Sequence, residues 1–285
     1  LKEKLNLKCF YQRKMLIKKI YIILFILLTF LPKIIFAEKM NKENNSELTV
    51  EADDSLEWFE KEKYYMAKGN VILKKDGITL RADNVKADYV FENGENIIQK
   101  ITAKKQVILT NKKTKATGRN MIYNFKKKVA KISGPFQTFS SPTGYLESNK
   151  IIIFDDLKNT AEAAGNVKIV LSNKTIIYAD TVTADFEPKD KSLNKAIASG
   201  NVIIENKSKK RKSKANIGVY NSKSHLIELS GDVIIINQDS VISGSKGVTN
   251  LKTGISNIIG DPKNKKRVKG TFAPIKKQNT GDKTD

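Results

Sequence analysis

The stretch Ser199-Gly200-Asn201-Val202-Ile203-Ile204 indicates the fold, because it recurs along the chain. Related stretches begin at Lys68, Ala164 and Ser230, each with Gly-Asn or Gly-Asp followed by Val and a β-branched or apolar run. Degenerate copies occupy 105–109 and 133–136, and a last echo is Ile259-Gly260-Asp261-Pro262. Successive copies are about 29 to 36 residues apart. Self-similarity at such a spacing is the signature of a repeat architecture, and it predicts about seven units.

A second pattern lies between these copies. It reads Arg-Ala-Asp-Asn-Val-Lys-Ala-Asp-Tyr at 81–89 and Tyr-Ala-Asp-Thr-Val-Thr-Ala-Asp-Phe at 178–186. Each unit therefore holds two short β-rich runs separated by turn residues such as Lys75-Asp76-Gly77, which predicts an all-β fold. The alternation of apolar residues changes phase between Ala82 and Val85, and a β-bulge or bend near Asp83-Asn84 would reconcile the two halves.

The runs after each Gly-Asn copy are apolar at alternate positions, and the positions between them are apolar in four of five copies. Successive side chains of a strand point to opposite faces. A sheet with one solvated face alternates between apolar and polar residues. These strands therefore predict two sheets facing each other over a shared interior, or a groove that holds a lipid. The candidate groove residues are Val71, Leu73, Leu80, Val107, Leu109, Val167, Ile169, Leu171, Val202, Ile204, Val233 and Ile235.

The leading segment predicts export. Residues 15–37 combine basic residues, an apolar run over 20–31 and a small residue, Ala37, before Glu38, which are the three parts of a secretory signal. A retained inner-membrane anchor is the alternative, although the run is short of the roughly 20 residues that a spanning helix needs. Residues 1–14, which start with Leu1, are interpreted as an upstream extension. We expect flexible segments at 38–46 and 275–285 around one folded domain at 47–274.

Residues for catalysis are scarce. Cys9 precedes the signal, and His225 is the only histidine, so thiolate nucleophiles, zinc clusters and Ser-His-Asp triads are excluded. The neighbours of His225 favour a strand and a structural role. Asp83 and Asp88 would lie roughly 16 Å apart along a strand, too far to share a proton. We predict no catalytic residues, no metal and no cofactor, and hence no enzyme.

The charge is strongly basic. The chain has 52 Lys and Arg against 30 Asp and Glu, for a net charge of +22. Residues 1–37 hold eight of the basic residues and one acid, which leaves 44 and 29 and a net charge of +15 beyond them. Such a field favours anionic partners, but a lysine-rich coding bias explains it as well. Lys209, Lys210, Arg211 and Lys212 lie in an expected hairpin loop, where they are either solvated or in contact with lipid phosphates or a membrane surface. Behind a secretory signal, we predict no nucleic-acid partner.

The alternation of Gly-Asn-Val runs with Ala-Asp-x-Val-x-Ala-Asp segments resembles the organic-solvent-tolerance family of periplasmic proteins. The likeness begins near Leu48 and ends at Pro274, so it spans essentially all of the chain beyond the signal. It implies an elongated antiparallel β-jelly roll, or V-shaped stacked sheets, built from about seven two-strand repeats.

The resemblance also implies a function. The chain would shuttle or bridge lipopolysaccharide, or a related anionic glycolipid, from the inner to the outer membrane through an apolar β groove in the periplasm. Its other partners would be inner- and outer-membrane export components and further copies of itself, joined by pairing of edge strands. One alternative is a membrane-anchored envelope-assembly adaptor that docks partner sheets without carrying lipid. Another is a repeat adhesin or polysaccharide-active β-solenoid.

Overall fold

The computed structural model describes residues 48–272, apart from 112, 143, 173, 208, 209, 239, 251, 252, 254 and 265. Every regular element in this part is a β-strand, as the repeats predict. The strands are β1 (Thr49–Glu51), β2 (Ser55–Phe59), β3 (Tyr64–Lys75), β4 (Ile78–Glu92), β5 (Glu95–Asn111), β6 (Thr114–Asn124), β7 (Val129–Ser133), β8 (Gln137–Ser141), β9 (Gly144–Ser148), β10 (Ile151–Asp155), β11 (Thr160–Leu171), β12 (Thr175–Phe186), β13 (Leu193–Asn206), β14 (Arg211–Asn221), β15 (Leu226–Asn237), β16 (Ser240–Asn250), β17 (Ser256–Ile259) and β18 (Lys269–Phe272).

The described residues include no helix that is long and apolar enough to cross a membrane. The predicted signal at 15–37, the extension at 1–14, the segment 38–46 and the tail at 275–285 lie outside the described residues, and so does Lys209. These boundaries therefore stay predictions.

The strands form one antiparallel meander of long strands, in which each long strand pairs with the one before it and the one after it in sequence. Four pairs of short strands lie in line and act as single long strands: β1 with β2, β7 with β8, β9 with β10, and β17 with β18. We call each long strand, single or composite, a rung. The meander has fourteen rungs, which confirms the prediction of about seven two-strand repeats.

Each Gly-Asn copy forms a β-bulge in the middle of its rung. In the pairing of β3 with β4, Lys68 lies opposite Asn84 and Val71 opposite Ala82, so two residues face one. This confirms the predicted bulge near Asp83-Asn84, with the extra residue on the Gly-Asn strand. Because a bulge bends its strand and increases the local twist, the repeated bulges form one corner along the whole sheet.

The corner explains why the two sequence patterns alternate. Gly200 and Asn201 have φ values of 75° and 48°, which glycine adopts freely and asparagine tolerates. A Cβ atom on Gly200 would lie 2.1 Å from a carboxylate oxygen of Asp180 on the neighbouring rung. The side chain of Asn201 donates a hydrogen bond of 3.0 Å to the same oxygen. The Gly-Asn and Ala-Asp patterns therefore lie opposite each other on neighbouring rungs and form the corner together.

The corner divides the sheet into two halves. Half-sheet A comprises 49–51, 71–82, 107–118, 137–148, 167–179, 202–215, 233–244 and 269–272, and half-sheet B comprises 55–68, 84–104, 120–133, 151–164, 181–199, 217–230 and 246–259. Leu73 and Leu80 of half-sheet A share one core cluster with Ala67, Val85 and Met121 of half-sheet B. The two halves thus face each other, as predicted, but the apolar residues between the inward positions, such as Ile72 and Ile203, lie on the outer face.

The degenerate copy at 133–136 interrupts its rung, but the meander continues through it. Pro135 has no N–H group to donate and lies with Gly134 in the gap between β7 and β8. At the corner, Gln137 and Ser148 replace the usual Val and small residue, and both are buried. The Ser148 Oγ atom lies 2.9 Å from the carbonyl oxygen of Ala164, and the Gln137 side chain donates to the carbonyl of Gly134. This buried polar pair is therefore satisfied.

Two local predictions are wrong. His225 lies in the turn before β15 with φ 55°, not in a strand, because the chain reverses direction immediately before Leu226. The basic hairpin loop is shorter than expected, since β13 extends to Asn206 and β14 begins at Arg211. Arg211 and Lys212 therefore belong to a strand, where Lys212 pairs with Glu205 opposite it.

A candidate apolar groove between the two half-sheets

A row of side chains crosses half-sheet A with one residue on every rung. Residues directly opposite each other in an antiparallel pair project to the same face. We call this row ladder A, and the pairing registers define it as Val50, Leu73, Leu80, Leu109, Ala116, Phe139, Leu146, Ile169, Ile177, Ile204, Ser213, Ile235, Ile242 and Gly270.

A corresponding row crosses half-sheet B on the facing side. This ladder B consists of Leu56, Ala67, Val85, Ala103, Met121, Ile132, Ile152, Ala163, Val182, Ala198, Gly218, Leu229, Gly247 and Ile258. Its residues are large over β6–β10 and small over β11–β14. The interior between the ladders is consequently lined by apolar residues or glycine on every rung of the described sheet except β14, where ladder A has Ser213.

In the part of the chain that the structure describes, two cavities lie between the ladders. One, of about 220 Å³, lies in the C-terminal half and is lined by residues of β8–β15, including Ile177, Ala198 and Ile204. The other, of about 360 Å³, lies at the N-terminal end and is lined by residues of β1–β5 and Phe125. Between them Met121 and Ile132, exposed by only 2% and 1%, fill the interior. The groove is thus largely apolar, and it is filled by side chains in its middle section.

The N-terminal cavity ends in a cluster of aromatic side chains. Trp58 stacks on Tyr65 with ring centroids 6.1 Å apart, and its indole N–H donates a hydrogen bond of 2.8 Å to the hydroxyl of Tyr89. Trp58 nevertheless remains 58% exposed, and Leu56 beside it is 64% exposed. Both belong to the first rung, whose outer edge has no partner strand among the described residues. This end therefore presents apolar surface to solvent.

The predicted groove residues occupy two depths. Leu73, Leu80, Leu109, Ile169, Ile204 and Ile235 lie on ladder A, and Leu171 is the next inward residue beyond Ile169 on β11. Val71, Val107, Val167, Val202 and Val233 lie deeper, directly after the corner, with exposures of 0–1%. Neither cavity is lined by these five valines. They hold the two half-sheets together at the bottom of the groove.

Sequence reasoning missed the wall opposite ladder A. The C-terminal cavity is lined on that side by small residues spaced two apart, namely Ala161, Ala163, Ala184, Ala196, Ala198 and Gly218. Alanine carries little apolar area, so it is a weak signal of burial. The spacing of two, as in Ala196 and Ala198, could have identified an inward face.

The ionisable groups of the groove region have shifted pKa values with clear causes. Burial raises the pKa of Tyr123 to about 12, and the negative charge of Asp156 adds to the effect. Burial also raises the pKa of Tyr220. Burial acts to raise the pKa of Asp88, but Lys100 and Lys86, at 2.8 and 2.7 Å, outweigh it and hold this pKa below its usual value. These tyrosines stay neutral near pH 7.

The basic candidates lie at the end of the β13–β14 hairpin. Lys210 is exposed in the turn, and Arg211 is exposed at the start of β14, where its Nε donates a hydrogen bond of 2.9 Å to Asn237. Lys212 is half-buried beside Glu205. No group of three or more His, Cys, Asp or Glu residues that could hold a metal ion occurs in the described part of the chain.

The search of curated proteins found no match. Among solved structures, one match is described as the crystal structure of LptH, the LptA homologous periplasmic component of the conserved lipopolysaccharide transport device from Pseudomonas aeruginosa. Its sequence identity is 12% and its TM-score 0.21, over 80% of this chain and 96% of that chain.

A family model described as "LptA/(LptD N-terminal domain) LPS transport protein" matches twice, at residues 49–155 and 145–255. The two matches overlap in β9 and β10 and together include most of the rungs. They confirm the resemblance carried by the repeats. The chain therefore belongs to the LptA/LptD N-terminal domain family of LPS transport proteins.

Proposed function

We propose that the chain carries lipopolysaccharide, or a related anionic glycolipid, across the periplasm with its acyl chains between ladder A and ladder B. The observation that supports this most directly is the pair of facing apolar ladders with a cavity of about 220 Å³ between them. Membership of an LPS transport family supports the same function. The chain acts as a carrier or bridge between the inner and outer membranes and not as an enzyme.

The energetics favour a continuous apolar lining. Each methylene removed from water contributes about 0.8 kcal/mol, so a lipid with several acyl chains is strongly held wherever it is shielded. A row of similar residues on every rung keeps this free energy nearly level from one rung to the next. At the closed middle section Met121 must rearrange before a chain passes, and methionine is the apolar residue that adapts its shape most easily.

Docking to partners uses the two end rungs. The first rung (β1 and β2) and the last rung (β17 and β18) each pair on one side only within the described residues. Unpaired strand edges are templates for β-augmentation. Phe272 on β18 is 69% exposed, which adds apolar contact area at that edge. We infer that export components of the two membranes, or further copies of the chain, join here and extend the groove.

The exposed end rungs also favour a second candidate, an adaptor that docks partner sheets without carrying lipid. In this second hypothesis, residues 15–37 are retained as an inner-membrane anchor. The mass of the protein isolated from cells separates the two forms. A chain that begins at Glu38 supports the soluble carrier, whereas an uncleaved chain supports the anchored adaptor.

Photo-crosslinking in cells that export the chain tests lipid carriage. A photo-reactive residue at Leu73, Leu171 or Ile204 faces the groove, and we expect it to capture lipid. The matched controls are Ile72, Val170 and Ile203, the preceding residues of the same strands, which point away from the groove. Lipid adducts at the inward sites alone support the carrier. Adducts to protein alone at all three inward sites would exclude lipid carriage and leave the adaptor.

A further inference from the structure

The groove is bordered by two rows of hairpins whose charges differ. The hairpins of half-sheet A end together along one border, and those of half-sheet B along the other. We define rim A and rim B as these turns with the two strand residues on either side of each turn. Both rims reach the groove, since Lys75, Ser141 and Gly144 of rim A line the cavities, and so do Phe186 and Leu193 of rim B.

Rim A is strongly basic and rim B is neutral. Among the described residues, rim A has nine basic side chains and two acidic ones, whereas rim B has nine of each. The charged residues of rim A are Lys74, Lys75, Lys113, Lys115, Lys174, Lys207, Lys210, Arg211 and Lys212 with Asp76 and Glu205. Those of rim B are Lys61, Lys63, Lys126, Lys127, Lys128, Lys158, Lys189, Lys191 and Lys223 with Glu60, Glu62, Glu92, Glu95, Asp155, Asp156, Asp185, Glu187 and Asp190. A uniform excess of lysine would make both rims basic, so composition alone does not explain the contrast.

The acids of rim B balance its bases in number, and two ion pairs join its neighbouring hairpins. Lys191 pairs with Asp156 at 2.8 Å, and Lys223 pairs with Glu187 at 2.9 Å. Each pair joins the hairpins of adjacent repeats. On rim A, Lys74 pairs with Glu51 of β1 and Lys212 pairs with Glu205, but Lys174, Lys210 and Arg211 are exposed. The two acids of this rim cannot balance its nine bases. Neighbouring hairpins are about 10 Å apart, two strand spacings, which is close to the screening length at physiological salt. Their fields therefore add along the rim.

We propose that rim A binds the phosphate groups of the lipid whose acyl chains occupy the groove. This inference rests on the proposed function and adds an orientation to it. Ammonium and guanidinium groups bind phosphate by charge-assisted hydrogen bonds, and rim B has no net charge with which to compete. Every lipid molecule then lies with its headgroup toward half-sheet A, so a headgroup moves from one hairpin to the next on the same side of the groove.

Binding measurements with two lipids and two matched variants test this orientation. The full chain is purified from envelopes of the cells that export it. The probes are lipid A with two phosphates, the same lipid after removal of its phosphates, and inorganic pyrophosphate as a competitor. The rim A variant combines Lys207→Gln, Lys210→Gln and Arg211→Gln. The control on rim B combines Lys126→Gln, Lys127→Gln and Lys128→Gln and removes the same charge from one hairpin.

We expect the rim A variant to bind diphosphorylated lipid A about tenfold more weakly, because three exposed charge contacts are lost. We expect its affinity for the dephosphorylated lipid, and all affinities of the rim B variant, to stay within about twofold of the wild type. Equal losses in both variants, equal losses for both lipids, or binding of diphosphorylated lipid A that excess pyrophosphate does not weaken would overturn the role of rim A while leaving groove binding intact. A wild-type chain that binds neither lipid would refute the proposed function itself.

Discussion

The middle and C-terminal sections of the groove share one backbone design but differ in their interior. Over β6 and β7, ladder B carries Met121 and Ile132, which are exposed by 2% and 1% and line neither cavity. Over β11–β14 the same ladder carries Ala163, Val182, Ala198 and Gly218, and a cavity takes the place of side chains. Pairing, corner and ladder A continue through both sections. The comparison shows that side-chain volume on half-sheet B, and not strand pairing, decides where the groove is open.

The largest expected difference between the sections is in the cost of truncating a side chain. Met121→Ala should lower the free energy of unfolding by about 2–5 kcal/mol, because it empties a filled interior. Ile177→Ala on ladder A should cost only about 1 kcal/mol, since Ile177 already borders a cavity and loses fewer contacts. Urea denaturation of both variants measures the difference. Equal losses would show that the C-terminal section is packed as tightly as the middle section.

High pH should affect the middle section through Tyr123. Its pKa of about 12 exceeds the ordinary value of 10 because burial and Asp156 disfavour the charged form. The folded state therefore retains the proton longer than the unfolded state, so stability is complete below pH 10 and falls as the pH rises toward 12. The difference amounts to about 3 kcal/mol.

The variant Tyr123→Phe should abolish this part of the alkaline loss. Denaturation midpoints of the variant and the wild type at pH 8, 10 and 12 measure it, and Tyr178→Phe on the outer face of β12 is the matched control. A pH profile that is identical with and without Tyr123 would mean that its hydroxyl is hydrated, and hence that the middle section is open.

Filling the two sections should have opposite consequences. Ala130→Phe in the middle section overpacks a residue that is 1% exposed and should cost about 1–3 kcal/mol. Ala198→Phe places the same ring in the C-terminal cavity, where it should change stability by less than about 1 kcal/mol. It should, however, reduce lipid capture at Ile204, because the ring occupies the space of an acyl chain.

Thermal denaturation and crosslinking yield at Ile204 measure these two effects. A strong loss of stability in Ala198→Phe would mean that the cavity closes in solution. Unchanged lipid capture in a stable Ala198→Phe protein would place the acyl chains outside this cavity.

Much of the fold could be predicted from the repeats. Gly200-Asn201 and Asp180 were identifiable as recurring patterns, because the positive φ values at the corner restrict the residue types that fit there. The interruption at Pro135 was visible as a degenerate copy. The strand ends around Lys207–Lys214 and His225 were mispredicted, since lysine and histidine carry little information about where a strand stops and a turn begins.

The candidate site was only partly predictable. Large apolar residues such as Leu73 and Ile204 identified one wall, because their alternation is visible in a single strand. The opposite wall escaped notice, since Ala163, Ala198 and Gly218 carry no strong signal individually. Their common row appears only when the registers of adjacent strands are known.

The sequence by itself determined that this is an all-β repeat chain with about seven units, a strong basic charge and few residues suited to catalysis. Those properties follow from local rules of turn, alternation and residue chemistry, which act within a few positions of the chain. Only the tertiary structure decided which valines lie in the corner, where the groove is closed by Met121, and that one rim carries the basic charge. Each of these depends on residues of different strands, such as Thr175 and Asn206, being brought side by side by the meander, and sequence spacing alone does not fix that register.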